Sequence, residues 1–140
     1  LIASMIAHVG LDKAETWLNG VKANLARKPA GGDREQVRDV QAGLCDLAIG
    51  NTYYMIAMQS NPDQKAWAGA VKILFPNAAD RGTHVNITGA SLLVNAPNRD
   101  NGQKLIEYLV SNDAQKIYAE TIGEYPAVPG VKASAAVEAW

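Results

Sequence analysis

Apolar residues recur at helical spacing along the first third of the chain and in short unbroken runs after it. Leu1, Ile2, Met5 and Ile6 share one helical face, and Gly10 supplies a stop. Across residues 11–28, Ala14, Trp17, Leu18, Val21 and Leu25 follow i, i+3, i+4 spacing and predict a second helix with one apolar face. Pro29 and the Gly31-Gly32 pair end it. Asp33 is the expected cap of a third helix, with Gln36 as its capping-box partner and Val37 and Val40 turned inward. Residues 45–50 read as a short strand closed by Gly50. A short helix follows over residues 52–59, and Asn61-Pro62-Asp63 makes a turn.

Residues 71–75 read as another strand, and residues 85–96 as a longer extended stretch interrupted by Gly89. A helix over residues 99–110 is expected to bury Leu105, Ile106, Leu109 and Val110. Ser111 caps the next helix, in which Ala114, Ile117 and Tyr118 face inward, and Gly123 ends it. Two prolines keep residues 125–130 out of helix, and a short terminal helix fits residues 134–139. Strands alternating with helices predict an α/β layered fold.

The bulk numbers narrow the function classes. A chain of 140 residues is the size of one ordinary domain and can bury a core. A net charge of −1 gives no basic surface for nucleic acid. No apolar run approaches the ~20 residues of a membrane helix. The single cysteine, Cys45, allows no intrachain disulfide, and its apolar neighbours Leu44, Leu47 and Ile49 predict a small buried hydrophobe. The chain opens on Leu1 within an apolar segment that has neither a charged leader nor a small-residue cleavage site. The expectation is a chain that starts partway into a larger protein.

Candidate chemistry centres on Asn51-Thr52-Tyr53-Tyr54-Met55, just past the first predicted strand. A side chain at a strand end is well placed to face a cleft. A deprotonated phenol offers a hard anionic oxygen, and hard donors suit hard cations such as ferric iron. The competing reading sends one tyrosine into the core and the other to the surface, because successive strand residues leave on opposite faces.

Residues 32–37 and 43–55, then Asn86-Ile87-Thr88-Gly89-Ala90, Ala96-Pro97-Asn98, Ser111-Asn112-Asp113-Ala114-Gln115 and Glu124-Tyr125-Pro126, stand in a particular order. In that order and spacing the chain resembles the bacterial periplasmic ferric-iron-binding proteins, the solute receptors of iron ABC importers. The resemblance implies a periplasmic-binding-protein-like two-lobe fold of the two-crossover type, present here only in part. Residues 1–82 would form a portion of the C-terminal lobe, residues 83–123 would return to the N-terminal lobe, and residues 124–140 would cross back. It implies capture of Fe(3+) by Tyr53 and Tyr54, with a synergistic anion, carbonate or phosphate, completing the metal shell. Asn51 would help to hold that anion. The remaining ligands would come from the missing N-terminal half, and an inner-membrane ABC permease would receive the iron in the periplasm.

Other residues carry weaker readings. Asn51 is also an ordinary turn residue after a strand. Arg34, at the start of a helix, is an anion candidate, although the carboxylate of Asp33 beside it would repel an anion. His8 and His84 lie too far apart for a zinc-like spacing and read as structural or solvated. Tyr108 and Tyr118 read as packing residues, and Tyr125 as a core residue that could line a cleft. No paired-carboxylate, nucleophile-elbow or phosphate-loop signature appears, which leaves only an enzyme built on Cys45 or His84 as a reading from another class. A receptor of the same fold for an oxyanion or a small organic solute is the nearer alternative.

Overall fold

Every regular element of the structure, a computed structural model that describes residues 1–140, is helical. Helices α1 (Ile2–Val9) and α2 (Leu11–Ala23) are followed by α3 (Asp33–Gln41), α4 (Tyr53–Gln59) and α5 (Lys65–Gly69). Then come α6 (Arg99–Leu109), α7 (Asn112–Ile117), a π turn (Tyr118–Ile122) and α8 (Ala135–Glu138). The predicted helices form, with α2 shorter than its apolar spacing implies and α5 not foreseen.

The predicted strands do not form. Residues 45–50, 71–75 and 85–96 join no ladder. A strand is defined by pairing, and its N–H and C=O groups need a second extended segment beside them. This chain gives those segments none, so the helices of the α/β expectation are present without their sheet. The same lack explains why Leu44, Leu47, Ile49, Leu74, Ile87, Leu93 and Val94 are exposed. Cys45, expected in a core strand, is half-buried.

The chain divides into two compact units. The first joins Leu1–Ala48 to Leu74–Ile87. Here α1 packs on α2, and Ala14 is the buried point of the α2 face, while Trp17 and Leu25 are exposed rather than buried. Asp39 on α3 is buried and accepts from the guanidinium groups of Arg27 and Arg38, with Arg27 Nε at 2.7 Å and Arg38 Nη2 at 3.1 Å. The Arg27 hydrogen bonds hold its carboxyl below the usual carboxylate range against the opposing effect of burial.

The start of α3 departs from the predicted cap. Gly32, not Asp33, is the N-cap. The Glu35 carboxylate accepts from the Gly32 N–H at 2.8 Å, which lowers the Glu35 pKa. Gln36 instead reaches back and donates to the Ala30 carbonyl at 3.0 Å. With a glycine at the cap, only the carboxylate half of the box can be made by a side chain.

The second unit joins Ile49–Ile73 to Thr88–Trp140. Its core is Met55, Ile56 and Met58 of α4, Ala68 of α5, Ala114 of α7, Ala119 of the π turn and Val137 of α8. Met58 is fully enclosed, worth about 2 kcal/mol of apolar burial. Helix α6 buries no residue, and Leu105, Val110, Ile117, Tyr108 and Tyr125, expected inside, are exposed. Gln115 ties this unit together. Its amide donates to the Leu109 carbonyl at 2.8 Å and accepts from the Ala127 N–H at 2.7 Å, clipping the proline-rich tail to the α6–α7 corner.

Candidate functional site at the start of α4

The tyrosine pair opens α4. Thr52 is the N-cap and already has helical backbone angles, and its side chain makes no capping bond. The first turn is tight. Met55 N–H donates to the Thr52 carbonyl at 2.9 Å, and Tyr54 N–H to the Asn51 carbonyl at 3.4 Å. Three of the next four residues, Met55, Ile56 and Met58, are buried, so the helix is anchored just beyond the pair.

That anchoring decides where the rings go. Tyr53 and Tyr54 are both half-buried. Their ring centroids lie 4.5 Å apart with the planes tilted by 35°. Residues alternating on a strand would point to opposite faces, but successive residues at a helix start turn by about 100° and can lean together. The result is two adjacent phenols, neither enclosed in the core nor fully in solvent. Asn51 precedes them, also half-buried. Arg34 is exposed on α3, in the other unit.

Helix α4 is held from behind. The π turn packs on it, and Gly123, which ends that turn, is left-handed at φ 77°. A Cβ built on Gly123 would lie 2.3 Å from Ile56 Cγ1 and 2.8 Å from Ile56 Cβ. Sequence reading finds Gly123 as a helix stop but not this contact, because nothing local in the sequence links it to Ile56.

The other candidates stand apart from this arrangement. His84 is exposed, its Nε2 hydrogen-bonded to Asn86 Oδ1 at 2.9 Å, and His8 is exposed at the end of α1. No three His, Cys, Asp or Glu side chains come close enough together to hold a metal ion. No helix is long and apolar enough to cross a membrane.

Residues 10–140 match the family model of bacterial extracellular solute-binding proteins. The chain belongs to that family. Among curated relatives, this solute-binding protein is 46% identical to iron uptake protein A2 of Synechocystis over 94% of its own length. It spans only 39% of that relative. Among solved structures it superposes on apo ferric ion-binding protein A of Pasteurella haemolytica with a TM-score of 0.95 and 48% identity, covering 99% of this chain and 44% of that one. A Trichodesmium protein solved in complex with iron and citrate ligands gives a TM-score of 0.91 and 43% identity, with 99% and 44% covered. The fold is therefore the periplasmic-binding-protein fold, present in part. The relatives are named for iron uptake and ferric-ion binding, and none for catalysis.

Proposed function

We propose that this chain is the part of a periplasmic ferric-iron receptor that supplies two tyrosinate ligands, Tyr53 and Tyr54. The observation that carries the reading is the pair of adjacent, half-buried phenols presented by an anchored helix. The similarity to proteins named for ferric-ion binding and iron uptake supports it. The rest of the receptor would complete the shell, with a synergistic anion beside Asn51. Carbonate and phosphate are the first choices for that anion. The Trichodesmium relative, solved with citrate, makes a polycarboxylate a third choice. The expected lobes, residues 1–82, 83–123 and 124–140, belong to this same proposal, as does delivery to an inner-membrane ABC permease.

The chemistry is capture. A phenol with an ordinary pKa of about 10 ionises at neutral pH only when a cation stabilises its anion. Binding ferric iron therefore releases protons, and acid reverses it. Each phenolate also gives the complex colour by charge transfer to the metal. Tyr53→Phe and Tyr54→Phe in the intact receptor should each remove part of that visible band and weaken iron binding about tenfold or more, with the fold unchanged by circular dichroism. Full colour and affinity in both variants would refute the assignment and favour a receptor for an oxyanion or an organic solute.

A further inference from the structure

Gly123 and Ile56 are far apart in sequence, yet their contact bears directly on the tyrosine helix. We infer that Gly123 is a positioning residue for Tyr53 and Tyr54, its absent side chain being the space in which Ile56 of α4 sits. The inference rests on the tyrosine reading given above and adds to it a residue that never touches the metal.

Gly123 is buried, and two independent features require it to be glycine. Its backbone is left-handed, at φ 77° and ψ 30°, where a Cβ is disfavoured. A Cβ would also stand 2.3 Å from Ile56 Cγ1, 2.8 Å from Ile56 Cβ and 3.2 Å from Ile56 Cγ2. Rotation about χ1 can move the two Cγ atoms. It cannot move Ile56 Cβ, which is fixed to the α4 backbone. A methyl group at position 123 therefore has to displace the helix or the turn.

The displacement would reach the phenols. Ile56 lies three residues after Tyr53, on the same side of the helix one turn on. Met55 and Met58 flank it and are themselves buried, so α4 has little room to give way locally. On the other side of the contact, the Gly123 N–H donates to the Tyr118 carbonyl at 3.1 Å, which closes the π turn. Single π turns are often found beside functional sites. Here the turn brings a glycine, with no side chain, against the back of the ligand helix.

Gly130 supplies the control. It is also left-handed, at φ 89°, and lies in the same unit, but a Cβ there meets nothing within 4 Å. Gly130→Ala carries the conformational cost alone, and Gly123→Ala carries that cost and the push on Ile56. Both are made in the intact receptor and loaded with ferric citrate. The readings are the position of the tyrosinate-to-iron band, the rate of iron loss to a chelator, the pH of half-release and the melting temperature.

Gly123→Ala should move the band, raise the pH of half-release and speed iron loss about tenfold or more. Gly130→Ala should lower only the melting temperature. Adding Ile56→Ala to Gly123→Ala removes both Cγ atoms and should restore part of the band position and retention. If Gly123→Ala does not fold, Ile56→Ala alone disturbs the same contact from the other side and should shift the same readings. Parent-like spectra and rates in Gly123→Ala, an equal effect of Gly130→Ala, or no rescue would overturn the inference. Tyr53→Phe separates the two failures. An undiminished band there and in Tyr54→Phe removes the ligand reading itself, whereas a band reduced in either but unmoved by Gly123→Ala removes only the positioning role.

Discussion

Asp39 shows how much one side chain organises in the first unit. It is 2% exposed, and its two oxygens are divided between Arg27 and Arg38. Those partners stabilise the ionised form, so the folded pKa lies below the unfolded value. The stabilisation is then present above an unfolded pKa of about 3.9 and lost as pH falls through the folded value. Asp39→Asn keeps the shape but removes the charge, and leaves two guanidinium groups short of an acceptor. Chemical denaturation should show the variant less stable at pH 7, with the gap to the parent closing below about pH 4. A gap unchanged from pH 7 to pH 3 would mean that the charge is not what Asp39 contributes.

Helices and strands were legible in the sequence to different degrees, for a physical reason. A helix satisfies its hydrogen bonds within one segment, so spacing, caps and stops are enough to find it. Thus the Ser111 cap, the Gly123 stop and the start of α6 at Arg99 are where residue patterns put them. The apolar runs at residues 45–50, 71–75 and 85–96 state only a preference for a sheet, and the sheet depends on other segments. The tyrosine pair is visible as a motif, but how its two rings lie is not, because that depends on the buried residues after them that anchor α4. Helix α5 has no signal in the sequence because five residues are too few to show a period. At this scale the Ser111 cap is testable. Its hydroxyl accepts from the Ala114 N–H at 3.3 Å, and Ala114 is buried. Ser111→Ala should cost about 1 kcal/mol in equilibrium unfolding, and Ser111→Asp should recover most of it. Equal stability of the parent and the alanine variant would show that the hydroxyl does not hold this helix start.

For the molecule as a whole, the exposed apolar residues outweigh the buried ones. Leu47, Ile49, Ile87, Leu93 and Val94 are each more than 60% exposed, while the buried apolar residues of both units include only four larger than alanine. Unpaired apolar segments of this kind invite pairing with another chain. Light scattering on this chain alone should show concentration-dependent association, and supplying in trans the remainder of the receptor proposed above should suppress it. A monodisperse monomer at high concentration, unaffected by that addition, would contradict the expectation.

The two compact units are interleaved along the chain: backbone passes between them after Ala48, after Ile73 and after Ile87. This has a consequence for the gene. Any single break between codons 48 and 88 divides at least one unit, and a break between codons 50 and 73 divides both. One crossover between related genes cannot exchange either unit by itself, because a clean exchange needs three junctions at once. Recombination should therefore transmit this region intact or damage it, and changes along its lineage should arise by point substitution.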